Sequence, residues 1–186
     1  MSKAGCSEIE LKFDHDATSG VISNLKLVQT PYNVENIEGN QLRLQAINIT
    51  SLDEEMKIIE VHRVETSATV AETVIDKFTG PQEKKIHALL INHGAHGYGK
   101  FGVPELTLKA LETGLHKIES SLDRKQIINM MYDNIKSGKL PASRVLKIIL
   151  NNIEHETAVD VLQDTLGFVC NAIMANYLHQ EVKEQR

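Results

Sequence analysis

Two periodicities divide the chain. Up to about Val103, apolar and polar residues alternate in short runs, and beyond Pro104 apolar residues recur every three or four positions. A period of two belongs to a strand with one buried face, and a period near 3.6 to an amphipathic helix. In the first part, Ile9–Phe13 sets Ile9, Leu11 and Phe13 on one face, Ile22–Thr30 sets Leu25 and Leu27 together, and Leu42–Ile49 alternates Leu42, Leu44 and Ala46 against polar neighbours. Lys57–Val64, Thr69–Ile75, Ile86–Asn92 and Gly97–Phe101 are further strand candidates. Ser19-Gly20, Gly39-Asn40, Asp53-Glu54 and Gly80-Pro81 read as the turns between them. Seven short strands, each with one apolar face to bury, predict a small antiparallel β-sandwich over residues 1–103.

Residues 104–186 predict an α-helical domain. Pro104 suits a first helical turn, where its missing N–H costs nothing, and Leu108, Leu111, Leu115 and Ile118 follow at helical spacing. A second helix is expected over Leu122–Lys136, with Ser120 and Asp123 in capping-box positions and Ile127, Ile128, Met131 and Ile135 inward. Gly138 then serves as a left-handed cap, and Pro141 opens a third helix, Pro141–Leu150. The fourth, Glu156–Glu181, carries Val159, Leu162, Leu166, Val169, Ile173 and Tyr177 on one stripe. Two helical hairpins result, offset by 37 residues, which lies in the range of helical repeat arrays. Such arrays normally need about three repeats. A second apolar strip on the last helix (Val161, Phe168, Ala172, Ala175) asks for a neighbour on that side too, so the array is expected to be incomplete.

Composition narrows the function classes. Hydrophobic residues at 41% and charged residues at 24% describe an ordinary globular protein. A net charge of −5, with no basic run longer than Lys84-Lys85, argues against nucleic acid as a partner, because phosphate binding calls for a clustered positive surface. Cys6 and Cys170 lie far apart with no framework of paired spacings, so free buried thiols in a reducing compartment are expected. Apolar runs such as Ile148-Ile149-Leu150 are too short to span a bilayer. Ala4-Gly5-Cys6 resembles the end of a lipoprotein signal, but Lys3 precedes it and no apolar stretch leads into it. The expected location is cytoplasmic, with no membrane partner.

Three motifs invite a chemical reading. Gly97-Tyr98-Gly99-Lys100-Phe101-Gly102 has the Gly-x-Gly-x-x-Gly spacing that lets a backbone approach a pyrophosphate. The second strand with its acidic ribose-binding residue is missing, and Tyr98 and Phe101 suit a strand, so the run reads as bent strand. His93 and His96 stand three apart, with His87 and His62 elsewhere, yet no carboxylate or cysteine sits at usable spacing; they read as turn histidines. His155-Glu156 begins the zinc-peptidase pattern His-Glu-x-x-His, but the fifth position is Val159, which ligates nothing. Glu154 and Glu156 suit a positive helix N-terminus, which explains the pair without a metal. No catalytic, cofactor-binding or metal residue is assigned.

The surroundings of that pair carry a resemblance. Met131-Tyr132-Asp133, Ser137-Gly138-Lys139 and Leu140-Pro141-Ala142-Ser143, then His155-Glu156-Thr157 and Val161-Leu162-Gln163, resemble the helical region of zinc aminopeptidases of the aminopeptidase N type. Upstream, Ala4-Gly5-Cys6-Ser7-Glu8-Ile9 resembles the turn that follows their catalytic domain, and Leu27-Val28-Gln29-Thr30 their strand ending in Gln-Thr. Leu89-Leu90-Ile91-Asn92 and Tyr98-Gly99-Lys100 resemble the strand pair written Leu-Leu-x-Asn and Tyr-Ala-Lys. The likeness runs from Ala4 to Asn176; Arg43-Leu44-Gln45 and His93–Gly97 depart from the pattern.

The resemblance implies a fold and a parent activity. Such enzymes place a β-sandwich and a C-terminal helical bowl after the zinc domain that hydrolyses the N-terminal residue from peptides. Their zinc ligands and catalytic groups lie upstream of the matching segment and have no counterpart here. The chain is thus expected to be the non-catalytic C-terminal part of such an enzyme, without its own cofactor. Its partners would be the upstream catalytic domain and the remaining C-terminal helices, with peptide substrate met only indirectly. The alternative is a stand-alone scaffold or interaction module derived from such an enzyme.

Overall fold

The computed structural model describes residues 6–31 and 42–170. The chain divides into two compact units, Met1–Ala110 and Leu111–Arg186. The first holds two small sheets, and the second is helical, so the protein is a mixed β and α structure with the strands first.

In the first unit, β1 (Glu8–His15), β2 (Ile22–Thr30), β5 (Glu72–Val74) and β7 (Lys100–Phe101) form a four-stranded sheet in the order β5-β2-β1-β7. Strands β3 (Ala46–Leu52), β4 (Ile58–Glu65) and β6 (Ala88–Ile91) form a three-stranded sheet in the order β4-β3-β6. The alternation of β1 and β2 sends Ile9, Leu11, Leu25 and Leu27 into the core, and a register shift near Asn24, at φ 52°, brings Ile22 to the same side. On β3 the corresponding residues are Ile47 and Ile49, both fully buried. One pairing departs from the antiparallel expectation: β7 runs parallel to β1, through Glu8↔Lys100 and Ile9↔Phe101. The chain reaches β7 from β6 of the other sheet, and a strand entering from elsewhere is not held to the reversal that a hairpin imposes.

The other edge of β6 is closed by a helix. Thr107, buried on α1 (Glu105–Gly114), accepts a hydrogen bond from Leu89 N–H and donates one to Leu89 C=O, at 3.1 and 2.8 Å. A single hydroxyl thereby stands in for the next strand and blunts an edge that would otherwise present open backbone groups.

The stretch Leu42–Gln45, expected as the start of a strand, is irregular, and Leu44 is 73% exposed. Side chains take the place of a ladder there. Gln29, at 1% exposure, donates to the carbonyls of Arg43 and Ser67 and accepts from Arg43 N–H, while Thr66 donates to Arg43 C=O at 2.6 Å and accepts from Gln45 N–H at 3.0 Å. One amide on β2 therefore ties the chain entering β3 to the chain leaving β4. Gln29→Ala would take this partner from the Ser67 carbonyl and the Arg43 N–H, while the Arg43 carbonyl keeps the Thr66 hydroxyl, and should destabilise this unit by about 2 kcal/mol. The urea midpoint, followed by far-ultraviolet circular dichroism, measures that loss.

In the second unit, α1 ends at Gly114 and a 3₁₀ turn, Leu115–Lys117, follows. Ser120 then caps α2 (Ser121–Lys136), its hydroxyl accepting from Asp123 N–H. Gly138 closes α2 in the left-handed region, at φ 72°. Pro141 precedes α3 (Ala142–Asn152), whose Val145, Ile148 and Ile149 are buried. The last described helix, α4 (Val159–Phe168), begins later than expected and faces differently. Val161 and Val169 point inward, while Val159 is 75% and Leu166 48% exposed. Thr165 occupies the inward position one turn after Val161 because its hydroxyl donates to Val161 C=O at 2.6 Å and needs no other partner. Neither expected strip is buried as a whole: Val161 of the second and Val169 of the first point inward with Thr165 between them, while Phe168 is half-buried. Ala172, Ile173, Ala175 and Tyr177 lie outside the described residues.

Cys6 is half-buried and Cys170 exposed, both as free thiols, so burial was the wrong expectation for Cys170. Among the described residues, no helix is long and apolar enough to cross a membrane.

Candidate functional site

The near-motif His155-Glu156 falls in a connection rather than on a helix. His155 ends a 3₁₀ turn, Ile153–His155, and Glu156 is extended, at φ −74° and ψ 125°. Helix α4 starts only at Val159, so the four-residue spacing that would bring two side chains to one metal does not exist here. The His155 side chain is about half exposed, 3.2 Å from Glu154.

Glu156 has a different role from the helix-start one that its sequence position suggests. Its carboxylate takes a bidentate hydrogen bond from Arg124 of α2, with Nη2 to Oε1 and Nε to Oε2 both at 2.7 Å. Both side chains are only 8% exposed. Arg124 Nη1 also donates to the carbonyls of Ile118 and Glu119, and Glu156 Oε1 accepts from Ala158 N–H. Hydrogen bonding to Arg124 is the chief cause that holds the Glu156 carboxyl below its ordinary value, with the Ala158 N–H adding to it against the opposing effect of burial. A carboxylate so engaged is a poor general base, because protonating it would break the pair that binds it. The geometry fits a clasp joining α2 to the segment that leads into α4.

Beside it, Asn152 organises a second polar node. Its Nδ2 donates to the carbonyls of Leu111, Glu112 and Ile148, which fixes the amide orientation. Its Oδ1 therefore faces His116, accepting from the backbone N–H at 3.3 Å and standing 2.7 Å from ring Nδ1. That contact requires a proton on Nδ1. The His116 and His155 rings lie 4.5 Å apart between centroids. Leu115, Ile128, Ile149, Val161 and Thr165, with this polar pair of nodes, line a small pocket. It offers shape and one titratable ring, but no nucleophile beside a base.

The other sequence candidates are dispersed. Gly97 is held by Asn92, whose Oδ1 accepts from its N–H and whose Nδ2 donates to its carbonyl. Gly99 lies against β1: a Cβ there would stand 2.8 Å from Ile9 Cδ1 and 3.0 Å from the Ser7 carbonyl oxygen. Packing against a strand, rather than a pyrophosphate, accounts for that glycine. His62 makes an edge-on contact with Phe78, His93 accepts from Asn48 through its carbonyl, and His96 is exposed. Among the described residues, no three His, Cys, Asp or Glu side chains lie together as metal ligands.

Sequence reasoning missed the Arg124–Glu156 pair. A signal existed: Arg124 precedes Ile127, Ile128 and Met131 by three, four and seven positions, so it lies on the inward stripe of α2. A charge on such a stripe demands a partner. No protein-family model matches the chain, and no characterised protein matches it in sequence.

Proposed function

We propose that this chain is the non-catalytic C-terminal segment of a zinc-dependent aminopeptidase of the aminopeptidase N type. The ordered run of motifs from Ala4 to Asn176 carries the reading. Two small sheets followed by helices agree in order with it. On this reading the sheets are the halves of a β-sandwich and the helices are the first hairpins of a bowl. In the whole cytoplasmic enzyme this segment braces the catalytic domain and helps restrict access to peptides that present a free N-terminus. The described residues do not fit a zinc site, so no hydrolytic step is assigned to them.

The coding frame upstream of Met1 tests the proposal most directly. An in-frame His-Glu-x-x-His is the expected finding, and a stop codon with a promoter would overturn it. The purified chain should also leave an aminoacyl reporter uncleaved with or without added zinc; zinc-dependent cleavage would defeat the reading. The upstream stop would favour a stand-alone interaction module instead, to which the exposed Val159 and Leu166 on α4 lend some support.

A further inference from the structure

Among the described residues, the outer edge of β1 is only partly paired. Strand β7 covers it at Glu8 and Ile9 alone. There the carbonyls of Ser7 and Ile9 accept from Lys100 and Gly102. Backbone groups along a strand alternate sides, so those of Leu11 point the same way, past the end of β7. On the opposite side, Gln29 and Leu25 of β2 bond towards the β5 segment, which leaves Lys26 and Val28 of β2 to pair with Lys12 and Glu10. The two ladders agree that Leu11 faces outward.

At this open edge lies a groove of about 530 Å³, walled by the end of β1 and by the first turns of α1. Leu11, Phe13 and Leu106 give it an apolar floor. Lys12 and Lys109 supply two cations against one carboxylate in its lining, Glu105, with the His15 ring beside them. That local excess stands out in a chain of net charge −5. His15 Nε2 is buried and has no hydrogen-bond partner among the described residues.

We propose that this groove binds an extended acidic peptide segment, which adds to the edge of β1 as a further strand. Backbone hydrogen bonds to Leu11 supply register, alternate side chains reach Leu11 and Phe13, and carboxylates meet Lys12 and Lys109. This is strand addition, in which main-chain bonds hold the ligand and flanking side chains select it. All the residues involved lie in the first unit.

The test uses the full chain and a fluorescein-labelled hexapeptide that alternates Val and Glu, with anisotropy as the readout. The expected result is saturable binding that weakens about tenfold in the Lys12→Glu/Lys109→Glu double variant and falls as salt is raised. The same peptide methylated on alternate backbone nitrogens should not bind, and this arm leaves the protein's folding untouched. Absence of binding by the unmodified acidic peptide overturns the proposal, as does equal binding by the Val-Lys counterpart or undiminished binding by the methylated peptide. Self-association of the protein that the peptide competes away would instead assign the groove to a second copy, and likewise overturns it.

Discussion

Replacing Arg124 by Ala should lower the stability of the helical unit by about 3–5 kcal/mol, the range for breaking one side of a buried ion pair. Three acceptors lose their donor together: the Glu156 carboxylate and the carbonyls of Ile118 and Glu119. Glu156→Ala should cost a similar amount, because it leaves a guanidinium that is 8% exposed without a counter-charge. An Arg124→Met/Glu156→Leu double variant should recover most of the loss, since apolar residues of similar volume remove the charges and fill the space. Urea unfolding followed by the helical circular dichroism signal measures all of these. A double variant no better than the singles would mean that the pair holds a conformation apolar residues cannot hold.

The pair also sets a pH dependence. The folded Glu156 carboxyl sits below its ordinary value because Arg124 hydrogen-bonds its ionised form. Its contribution is therefore complete above the unfolded carboxylate value of about 4.3, and is lost as the pH falls through the depressed folded value. Acid unfolding should follow that course in the parent protein. Glu156→Gln should be less stable near neutrality and should show a shallower further loss below about pH 4. Equal slopes for the two proteins would remove Glu156 from the acid transition.

Ile148→Ala should cost about 2–5 kcal/mol, whereas Leu150→Ala on the same helix should cost less than about 1 kcal/mol. Ile148 is completely buried and Leu150 is 48% exposed. Truncating the first removes packed methyl groups and leaves a cavity that neighbouring side chains only partly refill. Truncating the second mainly changes a surface already in water. Paired melting curves give the comparison; a loss at Leu150 equal to that at Ile148 would show that α3 packs on a face other than the one described.

Where the chain's alternation is long, its structure was legible. Ile22–Thr30 is β2 with the same bounds: Leu25, Leu27 and Gln29 alternate inward, and the period breaks only near Asn24, at φ 52°, where the pairing with β1 shifts register. Ser120 and Gly138 were equally readable, since a helix start needs an acceptor for its first N–H groups and a left-handed end favours glycine. Leu42–Gln45 misled because Gln29 and Thr66 satisfy its backbone from elsewhere, and that competition is not written in its own residues. The phase of α4 misled for a similar reason. Thr165 looks polar, yet it pairs with Val161 inside its own helix and can be buried. The groove beside β1 was not readable either, because it depends on where β7 stops.

The sequence by itself determined that strands come first and helices after, and that His155-Glu156 lacks the second histidine of a zinc motif. Those conclusions follow from local periods and residue chemistry, which neighbours three or four positions away suffice to express. Only the tertiary structure decided what Glu156 does. Its partner Arg124 stands 32 residues earlier, on α2, and reaches it because α2 and the approach to α4 pack together. A carboxylate that looked free to activate water or to sit at a helix start is instead held by a guanidinium. That choice between roles is made by burial and proximity in space, which local spacing does not encode.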